Sequence, residues 1–279
     1  MTTGIFVADL HVNSTVAVCP PVVNLDDGGT YHATRTQRWL WDSWTGLWQD
    51  VDRGTPKGDR VLFVVGDLGE LDTEKRSIQL ISLNKDTIIG MCIDVLEPAL
   101  SVVDRVYFFR GTPAHSGRSA WLEEHVARDI DTSVPYSKEI DQETGEEKKT
   151  IASWWHLRGR INASKIDVCH HVGGSVTPNA GNNLGIKILS KYALNNWDRP
   201  DLVLRAHVHK FRESGKNLPL WAAICPAWTT ITEYGYRMGM ENDISDIGMI
   251  VVNFGDIGFT QSVKILHIEE SRSIWSRKV

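Results

Sequence analysis

Residues 4–14 read GIFVADLHVNS, and their reading decides the fold. The apolar run Ile5 to Ala8 predicts a strand buried on both faces. It ends in Asp9 and His11, a carboxylate and an imidazole that are costly at the edge of a core unless paired or bound to a cation. On an extended backbone, residues i and i+2 point to the same side, so the spacing predicts that Asp9 and His11 face one centre.

Four further runs repeat the pattern. Val61–Val65 leads into Asp67, Val106–Phe109 into RGTPAHSG with His115, Ile166–Cys169 into His170 and His171, and Leu202–Leu204 into RAHVH with His207 and His209. Six of the ten histidines thus follow strand-like runs. In open α/β sheets, ligands gather beyond the carboxyl ends of strands, where loops carry the chemistry. Mixed imidazole and carboxylate donors suit manganese, iron or zinc better than magnesium or calcium.

Helix-period stretches separate these strands. Trp41, Trp44, Leu47, Trp48 and Val51 recur at three and four, Thr87–Val103 is helix-like around Pro98, and Asn182–Trp197 ends at RPD. Alternation of this kind predicts an α/β chain. Tyr136–Trp155 is charged and predicts a β-hairpin turning at ETGE, Glu143 to Glu146. The last third is strand-rich, with GDIG, Gly255 to Gly258, turning the final pair. The expectation is one domain over 1–279, an αββα arrangement on two sheets, with a Trp-rich helical insert at about 31–53 and a protruding hairpin at about 134–158.

Net charge is −5, which argues against a long duplex-binding surface and leaves room for a local phosphate-bearing substrate. The four cysteines form no CxxC pair and fit a reducing compartment. The start MTTGIFVADL shows neither a basic leader nor a cleavage site, and no apolar run reaches bilayer length. The expectation is a cytoplasmic protein with no membrane partner.

ADLH, VVGDLGE, RGTPAH, CHHVGG and RAHVH, in this order, resemble the motifs of the calcineurin-like metallophosphoesterase family, over roughly Ile5 to His209. The family pattern is DxH, GDxx(D/E), GNH(D/E), a strand-end His and GHxH. The Trp-rich insert is similar to uncharacterised phage-type members, which would place the protein in a host-cell cytoplasm. The resemblance implies an α/β fold, a four-layer αββα sandwich of two mixed β-sheets flanked by helices. It also implies a hydrolase of phosphoric esters with a metal-bound hydroxide at a dinuclear centre. Two divalent ions are implied, manganese first, with iron, zinc or magnesium as alternatives.

Carried over by position, Asp9, His11 and His209 hold one metal and Asp67 bridges both. The second takes His207 and His170, with His171 as the alternative to His170. His115 is the catalytic group beside Asp67. Arg110, Arg118 and His171 are candidates to contact the substrate phosphate. Glu70 matches the acidic end of the second motif, in a role behind the ligands. Two motifs depart from the pattern: Ala206 replaces a glycine, and Thr112 stands where the family has a metal-ligating asparagine, with His115 two residues later than usual. Thr112 is therefore a doubtful ligand.

The expected substrates are phosphodiesters, such as nucleotides or nucleic-acid ends. The alternatives are a phosphomonoesterase or protein phosphatase, and a non-catalytic metal-binding scaffold. Trp39, Trp41, Trp44 and Trp48 are read as core or as a homo-oligomer interface rather than base-stacking groups.

Overall fold

The apolar run behind Asp9 forms β1 (Thr2–Val7), buried along its whole length in the computed structural model. The structure describes residues 1–73, 78–140, 147–173, 177–237 and 245–266. After β1 come a short pair, β2 (Val22–Asn24) and β3 (Thr30–His32), then α1 (Arg35–Gly54), β4 (Arg60–Val65), α2 (Lys85–Leu100) and β5 (Arg105–Phe109). Next are α3 (Pro113–Ser116), α4 (Trp121–Asp129), the hairpin β6 (Ser137–Ile140) and β7 (Glu147–Ile151), and β8 (Leu157–Ile161) with β9 (Ser164–Val168). The chain continues through α5 (Ala180–Leu194), β10 (Leu202–Arg205), β11 (Arg212–Glu213), β12 (Trp221–Ile224), α6 (Glu233–Arg237), β13 (Ile247–Phe254) and β14 (Phe259–Leu266).

Two five-stranded sheets result, ordered β14-β13-β1-β4-β5 and β11-β12-β10-β9-β8. Both are mixed. In the first, β1, β4 and β5 are parallel and β13 runs against β1. In the second, β9, β10 and β12 are parallel while β8 and β11 run against their neighbours.

Alternation along the strands sets the layers. Phe6, Phe63, Val65 and Phe109 of the first sheet meet Ile166, Val168, Leu204 and Ala223 of the second in one core. Ile5, Val7, Leu62, Val64 and Phe108 face the other way, onto α1, α2 and α4. Val203, Ala222 and Ile224 face α5. The order helix, sheet, sheet, helix is the αββα sandwich expected, and strands covered on both faces explain the unbroken apolar runs.

Thr34 caps α1 through a capping box with Gln37. The helix buries Trp44 and Trp48 in the core, with Trp39 and Trp41 partly buried beside it. Trp44 also donates its indole N–H to Val95 O at 2.7 Å, tying α1 to α2. Pro98 lies within the last turn of α2, which closes at Leu100, three residues before the expected Val103. Gly255 N–H bonds Gly258 O and closes the β13–β14 hairpin as expected. The expected ETGE turn lies outside the described residues. No helix among the described residues is long and apolar enough to cross a membrane.

Candidate metal centre

The loops after β1, β4, β5, β9 and β10 converge at the carboxyl ends of the central strands. The backbone there departs from the extended form. Asp9, His11, Asp67, His207 and His209 all have positive φ, at 51°, 46°, 47°, 80° and 57°, and so does Asn13 at 83°. The extended-strand reason for the Asp9–His11 spacing is thus corrected: β1 ends at Val7, and the two side chains share a centre because alternate residues are left-handed. Asp, Asn and His are the residue types most tolerant of that region. The loop is zipped to the one after β4, with Asp9 N–H donating to Gly66 O, His11 N–H to Asp67 O and Glu70 N–H to Val12 O.

Two glycines allow close approach. A Cβ on Gly66 (φ 78°) would lie 2.5 Å from His170 Nδ1, and one on Gly111 would lie 2.3 Å from Asp67 N. Any side chain at either position would displace the ring or the carboxylate.

Four overlapping groups of side chains lie close enough to hold a metal ion: Asp9, His11 and His209; Asp9, Asp67 and His170; His170, His171 and His207; and His11, Glu70 and His115. His207 and His209 therefore divide between two groups. His11 Nε2 and His209 Nε2 lie 3.1 Å apart, and Asp9 Oδ1 lies 3.5 Å from His209 Nε2. His170 Nε2 is 3.1 Å and His207 Nδ1 4.0 Å from Asp67 Oδ2. Asp9, His11, Asp67 and His170 are all at most 1% exposed.

Hydrogen bonds behind the rings fix which nitrogens face inward. His11 Nδ1–H donates to Glu70 Oε2 at 2.9 Å, and His170 Nδ1–H donates to Val65 O at 2.8 Å. Each ring then presents an Nε2 lone pair to the centre, the tautomer a metal requires. Asp9 Oδ1 and His170 Nε2 are buried with no aligned hydrogen-bond partner. Despite its short distance to Asp67, His170 Nε2 is not oriented toward that carboxylate as a hydrogen bond. Two orphaned ligand atoms at the meeting point of two carboxylates and several imidazoles fit a divalent cation in their chemistry.

Charge tells the same story. Burial opposes ionisation of Asp9 and Asp67, yet His209 and His170 hold Asp9 below the usual carboxylate range, and His170 and His207 hold Asp67 well below it. Burial also opposes a charge on His170, but the Asp67 and Asp9 carboxylates push it up to about 10. His11 is lowered, first by burial and then by His115. Two buried carboxylates held in the ionised form call for positive charge at the centre.

The remaining expected residues are placed as follows. His115, on α3, donates Nδ1–H to Glu70 Oε2 at 2.7 Å, and its ring meets the His11 ring edge-on. Glu70 thus supports two histidines from behind. Pro113 opens α3 and His115 follows within its single turn. Thr112 gives its backbone N–H (2.5 Å) and its hydroxyl (3.1 Å) to Asp67 Oδ1, so it braces the carboxylate. His171 and His207 are exposed at the outer side of the cluster, with ring centroids 5.0 Å apart. Arg118 is exposed on the turn after α3.

Arg110 is held beside the site by neighbours of its own. Its guanidinium bonds Ser153 Oγ and Glu124 and lies against the Trp155 ring, and none of these partners belongs to the cluster.

Two polar residues behind the site escaped the sequence reading. Asn13 donates to Glu70 O and Ser82 O and accepts from Ser82 N–H, locking the loop that carries His11. Glu123 is fully buried, bonds Ser116 Oγ, and is pushed up to about 7, first by burial. Its position with Leu122 and Val126 on the buried stripe of α4 was the available signal.

No family model matches the sequence. No curated protein matches it either. Solved structures similar to the chain include a Vps29 single mutant from Entamoeba histolytica, 10% identical with a TM-score of 0.42, covering 95% of this chain and 100% of that one. Chaetomium thermophilum Vps29 is 11% identical with a TM-score of 0.40, covering 95% and 97%. A Streptococcus pneumoniae protein described as a predicted phosphoesterase is 9% identical with a TM-score of 0.38, covering 95% and 89%. At these scores the site's own chemistry, not the likeness, must decide its function.

Proposed function

We propose that the cluster binds two divalent metal ions, manganese first, and hydrolyses phosphate esters, with nucleotide or nucleic-acid phosphodiesters as substrates. One observation carries this reading: Asp9 Oδ1 and His170 Nε2, both buried and without aligned partners, meet among ligands that already have the correct tautomers. Asp9, His11 and His209 would hold one ion, His170 and His207 the other, and Asp67 would be shared. Such ions, when bound, activate water and neutralise the charge that builds on the phosphoryl oxygens.

The chain's own residues do the positioning. Thr112 and Gly111 hold Asp67 still. Glu70 orients His115 through Nδ1, so that Nε2 gives a proton to the leaving oxygen. His171, exposed beside His207, borders the space where substrate enters.

The test combines Mn²⁺ titration by calorimetry with turnover of paired diester and monoester p-nitrophenyl substrates. Two ions bound and dominant diester turnover are expected. Dominant monoester turnover would replace the diester reading with a phosphomonoesterase. No binding and no turnover with any divalent ion would remove the enzyme reading altogether.

A further inference from the structure

The chain crosses from one sheet to the other at the end where the metal-type cluster lies. Trp154 N–H donates to Phe108 O and Arg110 N–H to Trp154 O, extending the edge of the first sheet beside β5. Leu157 then opens β8 opposite Val168, at the carboxyl end of β9. Residues 154–157 therefore pass from the strand that feeds Gly111 and Thr112 to the strand that feeds His170 and His171. Trp155 stands in the middle of this span and is 57% exposed.

Its surroundings are pinned on both sides. Ala152 and Ser153 donate backbone N–H groups to Glu124 at 3.0 Å, and the Trp154 indole donates to Val134 O at 2.8 Å. On the other side His156 Nε2 bonds Asp167 at 2.8 Å. The Arg110 guanidinium lies 4.8 Å from the Trp155 ring centroid and is held by Ser153 Oγ at 2.9 Å. Core packing does not account for so exposed an indole. Its backbone is already ordered, so binding a flat ring against it costs little further entropy. A cation behind an aromatic surface also suits a ligand that joins a π-system to a phosphate.

We propose that Trp155, backed by Arg110, is a stacking platform for the base of a nucleoside-bearing phosphate ester whose phosphate sits at the metal-type cluster. This rests on the phosphoesterase reading above. Trp155 is then a specificity residue: it selects esters that carry a base and takes no part in breaking the bond.

Two diesters with the same leaving group test it, thymidine 5′-(p-nitrophenyl phosphate) and methyl p-nitrophenyl phosphate, assayed in Mn²⁺. The preference for the nucleoside ester, as a ratio of kcat/KM values, is expected to fall about tenfold in Trp155→Ala, through KM. Trp155→Phe keeps a ring and should hold the ratio within about threefold. An unchanged ratio in Trp155→Ala overturns the platform. Should the wild type hydrolyse neither ester, the phosphoesterase reading fails by itself, and thymidine monophosphate titration decides the platform. Quenching of tryptophan fluorescence that is lost in Trp155→Phe supports it, and quenching that is equal in both or absent overturns it.

Discussion

Replacing Glu70 with glutamine asks whether one buried charge holds the centre together. Glu70 is 7% exposed, and its Oε2 accepts from His11 Nδ1 at 2.9 Å and His115 Nδ1 at 2.7 Å. Glutamine keeps an oxygen for both donors and removes the charge. Burial alone would raise the Glu70 carboxyl, but the two imidazole hydrogen bonds override it and hold it at about 2, against an ordinary 4.5. A depression of that size corresponds to about 3 kcal/mol of stability in the metal-free protein. Because the folded pKa is the lower one, the contribution is nearly complete above about pH 4.5 and is lost as pH falls through about 2, below which both states are protonated. Urea denaturation of chelator-treated wild type and Glu70→Gln should show a gap of about 3 kcal/mol at pH 7 and about 2 kcal/mol at pH 3.5. Mn²⁺ affinity, measured by calorimetry at pH 7, should fall about 10- to 100-fold. A stability gap that is absent at pH 7, or that widens on acidification, would refute the account of Glu70 as the charged support of both rings.

Asp67→Asn should lower Mn²⁺-dependent turnover by more than about 100-fold, the upper range for residues behind a metal, while circular dichroism stays native. Trp44→Ala should cost about 3–5 kcal/mol in urea denaturation, because a fully buried indole leaves both a cavity and the Val95 carbonyl without its donor. Arg205→Met should cost about 3 kcal/mol by the same assay. It leaves the buried Asp167 carboxylate with His156 and Tyr192 as hydrogen-bond partners and the Arg158 guanidinium at 3.7 Å.

The strands were legible because each is covered on both faces, so β1 and β4 appear as unbroken apolar runs that no surface helix would show. The helix α1 was legible from its tryptophans, whose three-and-four spacing needs one buried face. The strands β2, β3 and β11 were not. They are two or three residues long and exposed or partly exposed at most positions, so neither periodicity nor composition marks them. The surroundings of Arg110 were not legible for a related reason. A basic residue beside a motif looks the same whether it faces a phosphate or a glutamate, and Glu124 and Ser153 come from distant parts of the chain.

The opening stretch shows how a correct pairing can rest on the wrong geometry. Alternation on a pleated strand and alternation of left-handed residues both bring i and i+2 to one side, so the spacing of Asp9 and His11 could not separate them. The residue types could. Asp9, His11 and Asn13 belong to the set that tolerates positive φ, whereas the β-branched residues that favour strands do not. A β-branched residue in these places would prolong β1 and carry the polar groups along the sheet instead of turning them in. The left-handed turns release backbone N–H groups from the regular ladder, and those of Asp9 and His11 are satisfied by Gly66 O and Asp67 O. The same bonds that satisfy this strained loop fasten it to the loop bearing Asp67, so the local strain and the convergence of ligands have a single structural cause.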